Sequence, residues 1–543
     1  MNYLKIFRNP HMRAKEQSPF DDADDADDST IPLLPVRNSN HEQKSEGPAG
    51  GRRCKCERGV LRGWGRCAAT TASILGIISG TAILTPILTG VFTDPANPAH
   101  IVDALYARQS TTLAQATARY ALHTGRAPPP GYARWFEFAR QRQCLVDEYD
   151  QIRRDFKAFY QLADADPAYF QDMIDHAARE LTDAPVEITR VEVVDGEVYL
   201  AGDSAYGGYW PDTLRHVSGY LPNMTFFMNG LDEPRVAFNY RAPGARDAAL
   251  AGPTDFNPFW IEPHPTANFF ANRSGCTVPL EANGLMSSAN GDSSFLLSSA
   301  KPGFTTDLYP MLSMTKISPC FSDILFPTEY YYERSWWGAH YSRPDDVPWE
   351  QKKPQIYWRG MSNGGMIIGE NYHHFVRFKL IDVGREHPDL MNVAITTFAE
   401  TLCEEGCDRE AIMAEYNITG DGEPREDLYG YKYAIDVDGT TFSGRFLGLL
   451  KSGSLVFKST LFEEYFNDWI RPFEHYVPVL PDLSDLVEKI EWANANPEEA
   501  RLIQQRGLEM ARRVLTDDQN DCYFFAVLLE WARLQDYAKG VSA

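Results

Sequence analysis

From Ala68 to Phe92 the chain runs for 25 residues without a charged side chain, as AATTASILGIISGTAILTPILTGVF. Coiled into a helix at about 1.5 Å per residue, this run is long enough to cross a hydrocarbon layer of roughly 30 Å. It starts too deep in the chain, and runs too long, for a secretory signal peptide. A buried core helix is the competing structure, because Thr, Ser and Pro interrupt the apolar run. The flanks decide between them: Arg52, Arg53, Lys55, Arg58, Arg62 and Arg66 crowd the approach, and only Arg108 follows at comparable distance. Basic residues stay on the cytosolic side of a span. The expectation is a single-pass type II anchor in the Golgi or endoplasmic reticulum, with residues 1–67 cytosolic and everything after residue 92 lumenal. The Gly76/Gly80 spacing would let two such helices pair, so a homodimer through the span is a further expectation.

Charge divides at the same place. The 543 residues carry 52 Lys+Arg against 75 Asp+Glu, a net charge of −23. Residues 1–67 hold 12 basic and 10 acidic side chains, which leaves 40 against 65, net −25, for the rest. An acidic body of this kind excludes nucleic acid as the main partner, because a phosphate backbone needs a basic surface. The lumenal assignment agrees with three sequons, at Asn223, Asn272 and Asn417, all beyond the span. It also agrees with six cysteines there: Cys144, Cys276, Cys320, Cys403, Cys407 and Cys522. Six cysteines allow three disulfides in fifteen connectivities, and Cys403 and Cys407 are spaced to close locally. A zinc site is the rival, but no second Cys/His pair has ligand spacing.

Five regions follow. Residues 1–67 read as a disordered tail, with six aspartates between Asp21 and Asp28. Residues 68–92 are the span and 93–127 a stem. Residues 128–350 form a first half that begins with a helical collar over 133–160, and 351–543 form a second half. The strand-like run TFFMN (225–229) belongs to the first half. In the second, QIYWR, NVAITTF, YKYAIDV, SLVFK and HYVPV read as strands separated by helical sequence, near 370–383 and at RFLGLLKSG. A helix starts at Asn496-Pro497-Glu498-Glu499. Strands alternating with helices predict an α/β fold with a mostly parallel sheet, which binds ligands beyond the C-terminal ends of its strands.

Three clusters sit at such ends. In Trp358-Arg359-Gly360-Met361-Ser362-Asn363-Gly364-Gly365, an arginine followed by glycine-rich backbone and a helix can hold a phosphate; a tight turn with a surface arginine is the plainer reading. In Asp436-Val-Asp438-Gly-Thr-Thr-Phe-Ser443-Gly-Arg445, the two aspartates could ligate a divalent metal bridging a diphosphate. Alternatively, Ser443 and Arg445 contact the diphosphate directly and the arginine replaces the metal. In Asn229-Gly-Leu-Asp232-Glu233-Pro234-Arg235, Asp232 is placed either as a general base or as a turn aspartate. Trp336, Trp337 and Tyr330–Tyr332 are core or interface residues before they are sugar platforms.

Taken together, WRGMSNGG, DVDGTTFSGRFLGLLKSGSLVFK, HYVPVLPDLSDL, LPNMTFFMNGLDEPRV and DDQNDCYFFAVLLEWARL resemble the capsule-associated proteins, glycosyltransferase family 90. That family includes fungal xylosyltransferases and animal protein O-glucosyltransferases, and the membrane-anchored layout is like its fungal branch. The resemblance extends over about residues 123–537. It implies a GT-B architecture of two Rossmann-like halves facing a cleft, with inverting, metal-independent chemistry and no cofactor beyond the UDP-sugar itself. By the same resemblance Asp232 matches the catalytic aspartate, and Arg359, with Gly360 and Ser362, matches the strand-end motif. Arg445, after Ser443, matches the arginine that contacts the donor diphosphate. The animal members carry a second arginine where this chain has Met361-Ser362-Asn363-Gly364, so donor contacts differ there. The expected activity is transfer of xylose or glucose from a UDP-sugar to a hydroxyl of a glycan or glycoconjugate. Two alternatives come from other classes: a glycoside hydrolase with paired carboxylates, and a non-catalytic glycan-binding scaffold that keeps the fold.

Overall fold

The structure is a computed structural model that describes residues 97–180, 187–202, 206–253, 305–335, 345–403 and 406–539. The uncharged run, the tail, Gly76, Gly80, Asn272, Cys276, Trp336 and Trp337 lie outside the described residues. Among the described residues no helix is long and apolar enough to cross a membrane.

Among the described residues, two five-stranded sheets organise the fold. The first is built from β1 (Ile188–Val194), β2 (Glu197–Ala201), β3 (Met224–Asn229), β4 (Leu312–Ser313) and β5 (Ile324–Leu325), in the order β2-β1-β3-β4-β5. β1 pairs antiparallel with both β2 and β3, whereas β3, β4 and β5 run parallel. This half is therefore mixed rather than a fully parallel Rossmann-like sheet. The cause is local: Asp195 and Gly196, with φ of 53° and 83°, form the two-residue turn that joins adjacent antiparallel strands.

The second sheet holds β6 (Lys353–Met361), β7 (Met391–Thr397), β8 (Tyr431–Val437), β9 (Leu455–Ser459) and β10 (Val477–Pro478). All its pairings are parallel and the order is β10-β9-β8-β6-β7. β7 lies on one side of β6, and β8 and its successors lie on the other. The loops leaving β6 and β8 consequently diverge and open a crevice at their C-terminal ends, the place where doubly wound sheets take ligands. The strands are where the apolar runs put them. The helices that follow include Val376–Glu386, Phe446–Lys451 and Pro497–Arg513, the last with Pro497 in its first turn and Glu498 and Glu499 at its positive end.

Helices His100–Ala107, Leu113–Thr124, Tyr132–Gln141, Asp150–Ala163 and Tyr169–Glu180 precede the first sheet. In Asp150–Ala163 the buried residues Ile152, Phe156, Phe159 and Ala163 recur at helical spacing and make one core face. The partner of that face comes from the far end of the chain. The last long helix, Asp517–Gln535, crosses back and joins the same hydrophobic core, burying Tyr523, Phe524, Phe525, Leu528 and Trp531. Trp135 Nε1 donates to Cys522 O at 2.9 Å, and a disulfide joins Cys144 to Cys522. Cys403 and Cys407 form the expected local bridge, and Cys320 is also disulfide-bonded. The sequon residues Asn223 and Asn417 are both exposed.

The Cys144–Cys522 bond cross-links residues 378 positions apart. Replacing both cysteines by serine is expected to remove about 2–5 kcal/mol of stability, by freeing that loop in the unfolded chain. Thermal melts of the variant and the parent check this, and an unchanged midpoint would count against it.

Candidate active site

At the C-terminal ends of β6 and β8 lie several buried polar atoms that have no hydrogen-bond partner among the described residues. Trp358, near the end of β6, is 3% exposed and its indole Nε1 has no hydrogen-bond partner. Asn363, 4% exposed, leaves its Oδ1 unmatched, as do Thr441 and Ser443 their hydroxyls. Arg445 follows β8 and donates through Nη1 to Arg359 O at 2.8 Å, while its Nε and Nη2 have no partner. The guanidinium carbon lies 5.4 Å from the centre of the Trp358 ring. Buried polar atoms left unpaired cost stability. The guanidinium, hydroxyl and indole donors in this set suit an anion, although Oδ1 of Asp436 and of Asp438 is unmatched there as well. Gly360 lets the Trp358 ring and Arg445 pack close to the strand: a Cβ there would stand 2.6 Å from the Trp358 ring and 3.2 Å from Arg445 Nη1.

Of the residues singled out in the sequence, Gly360, Ser443 and Arg445 therefore meet. Ser362 lies at the same strand end, fully buried, with its Oγ accepting from Ala399 N at 2.8 Å, so it braces the loop. Arg359 turns elsewhere. Strand alternation points it away from Trp358 and Gly360, stacked on Tyr357 with its guanidinium carbon 4.5 Å from the ring centre. It donates to Asn392 O and Oδ1 at 2.9 Å, and its Nε lies 2.9 Å from Glu423 Oε1. Burial alone would raise the Glu423 carboxyl, but the hydrogen bond and charge of Arg359, with the Tyr357 hydroxyl, together outweigh it and hold the group below its ordinary value. Arg359 reaches the crevice through its carbonyl, the acceptor for Arg445.

Asp436, near the end of β8, and Asp438, just after it, are not equivalent. Asp436 Oδ2 accepts from Lys458 Nζ at 2.9 Å, and the same ammonium lies 3.3 Å from Glu464. Asp438 uses Oδ2 to accept from Leu461 N at 2.9 Å, and burial pushes its carboxyl up to about 7. Among the described residues no cluster of three or more metal-ligating side chains occurs.

Arg377 was not signalled by any motif. It is fully buried on helix Val376–Glu386, where it donates to Met361 O at 3.1 Å and to Asp438 O at 3.2 Å. It thereby ties the loop after β6 to the loop after β8. The available clue is its place on the helix: it falls on the stripe with Leu380, Ile381 and Gly384, all buried, where an apolar residue is the rule.

Asp232 comes to this region from the first sheet. Asn229, at the end of β3, closes the turn, accepting from Leu231 N at 3.0 Å and donating to Glu233 O at 2.7 Å. The carboxylate of Asp232 is half-buried and accepts from the Tyr206 hydroxyl at 2.7 Å, and Tyr206 lies 2.9 Å from the Tyr330 hydroxyl. Tyr330 packs edge-on against Phe442, and a Cβ on Gly444 would stand 2.7 Å from its ring. The loop bearing Ser443 and Arg445 is thus in contact with the side chains that hold Asp232. Tyr331 and Tyr332 are buried, Tyr331 donating to Ser443 O at 3.1 Å.

Comparison with known proteins now bears on these residues. Residues 339–542 match Glycosyl transferase family 90. The matched region contains Arg359, Gly360, Ser362, Ser443 and Arg445; Asp232 lies before it, so the match is shorter than the 123–537 stretch over which the motifs resemble that family. The chain is similar to Protein O-glucosyltransferase 2 of Danio rerio, 32% identical over 188 residues that cover 34% of each chain. It is similar to Protein O-glucosyltransferase 3 of Homo sapiens, 35% identical over 163 residues, 29% of this chain and 30% of the relative. The likeness to human Protein O-glucosyltransferase 1 is 26% over 257 residues, 44% of this chain and 60% of that protein. The chain spans about a third of the length of the first two family 90 relatives.

Proposed function

We propose that this chain is an inverting glycosyltransferase of family 90 with a GT-B arrangement. In this reading it moves glucose or xylose from a UDP-sugar to a hydroxyl of a glycan or glycoconjugate, and it is held by one span in the Golgi or endoplasmic reticulum membrane. The observation that carries the reading is Arg445. Among the described residues its Nε and Nη2 have no partner, and neither do the Ser443 and Thr441 hydroxyls of the same loop, which follows β8 at the switch point of the parallel sheet. These groups suit a diphosphate whose charge grows as the sugar leaves, and a preorganised cation there lowers the barrier. Asp232 takes the proton from the acceptor hydroxyl as that oxygen attacks the anomeric carbon. Arg445 supplies the positive charge in place of a metal, and Asp436 is already committed to Lys458. The names of the relatives support glucose as the first donor to try; xylose differs from it by one hydroxymethyl group.

The test is UDP release by the purified full-length protein in detergent, across a panel of UDP-sugars, with and without EDTA. Release with at least one donor and insensitivity to EDTA are expected. No release with any donor would sink the transferase reading, and UDP binding without transfer would favour a scaffold. Complete loss in EDTA, restored by manganese, would overturn the metal-independent route. Asp232→Asn is expected to lower kcat about 10²–10⁴-fold; undiminished release would show that the base lies elsewhere.

A further inference from the structure

Tyr206 sits where the base and the donor loop meet. Its hydroxyl lies 2.7 Å from Asp232 Oδ1 and 2.9 Å from the Tyr330 hydroxyl. A phenol has one proton to give. Tyr206 gives it to the carboxylate, so Tyr330 is the donor in the second bond, and the chain runs Tyr330 to Tyr206 to Asp232. Tyr206 is 7% and Tyr330 6% exposed, which shields the relay from competing water. Burial first, then the Asp232 carboxylate and Tyr330, push the Tyr206 hydroxyl well above its ordinary value, so it stays a donor throughout the working pH range. Trp210, fully buried, stacks on the Tyr206 ring with centroids 6.5 Å apart and fixes its plane. The other end of the relay is equally constrained, because the Tyr330 ring lies against Gly444, between Ser443 and Arg445.

We infer that Tyr206 is a positioning residue for Asp232, and that Tyr330 couples it to the loop expected to hold the donor diphosphate. The hydrogen bond orients the carboxylate and stabilises the ionised form that takes the acceptor's proton. No bond is made or broken at Tyr206. This rests on the transferase reading with Asp232 as base.

The experiment is the pH profile of kcat/KM for UDP release, using the full chain in detergent with UDP-glucose or UDP-xylose, whichever is turned over. In Tyr206→Phe the acidic limb should move up by about one pH unit, since a hydrogen bond to the charged form is lost. The rate at neutral pH should fall roughly tenfold while the KM for donor holds. Tyr330→Phe should move the same limb in the same direction by less, because the direct bond to Asp232 survives. It serves as the second variant should Tyr206→Phe not fold. A folded Tyr206→Phe with a wild-type acidic limb, or a Tyr330→Phe limb that does not move, overturns the inference and leaves Asp232 as base. Wild-type release by Asp232→Asn overturns both the inference and the assigned base.

Discussion

Arg445→Ala is expected to lower kcat for UDP release by about 10²–10³-fold, the cost of removing one preorganised group that stabilises developing charge. The protein should stay folded, because Arg445 is only partly buried and its one described hydrogen bond, to Arg359 O, is replaceable by water. Arg445→Lys should recover little. An ammonium cannot present two parallel N–H donors to a phosphate, nor keep a planar group over Trp358 while doing so. Because the lost interaction belongs to the transition state, kcat and kcat/KM should fall together. Steady-state kinetics on the three proteins, with circular dichroism as the folding control, check this. An Arg445→Ala enzyme within a few-fold of the parent would remove Arg445 from the donor site.

Lys458→Met is expected to destabilise the second half by about 3–5 kcal/mol. Lys458 is 5% exposed and serves Asp436 and Glu464, whose side chains are 1% and 0% exposed. Burial by itself lowers the lysine, but the two carboxylates outweigh it and hold the ammonium charged, above its ordinary value. Burial raises Glu464 even with Lys458 and Tyr331 opposing it. Without the lysine, two neighbouring carboxylates would be left in a dry site, and at least one would take up a proton. The consequence has a sign. The variant's carboxylates would have folded-state pKa values raised above their unfolded ones. Its stability should therefore be best at low pH and fall as pH rises toward neutrality. Denaturant melts between pH 5 and pH 8 test this, and a loss under 1 kcal/mol, flat with pH, would contradict it.

The parts of the fold that the sequence displays are those held by local pattern. YKYAIDV is β8 to the residue, because its β-branched and aromatic side chains are buried on both faces and turn residues bound it. The β1–β2 hairpin was equally open to reading, since Asp195-Gly196 stands between VEVV and EVYL; without it the first half looks more parallel than it is. The return of Asp517–Gln535 to the N-terminal helices leaves no local mark, as nothing in an amphipathic helix names the face it will meet. The site divides in the same way. Arg445 and Ser443 are legible because glycine and a strand end flag them. Tyr206, Arg377 and Lys458 are not, since each acts through a partner 22 to 61 residues away. Arg359 shows the limit: its position at a strand end was plain, but the direction of its side chain depended on Glu423 and Asn392, from separate segments.

The crossing of the last helix sets an order of events during synthesis. A chain emerging in the N-to-C direction presents helices Tyr132–Gln141 and Asp150–Ala163 almost four hundred residues before Asp517–Gln535 arrives to cover them. The first half therefore cannot close its core as a finished unit while the second is being made, although N-terminal domains commonly do so. Cys144 must wait in the same way for Cys522. A frameshift or stop codon between Asp517 and Cys522 would thus strip the beginning of the protein of its cover and leave a cysteine unpaired.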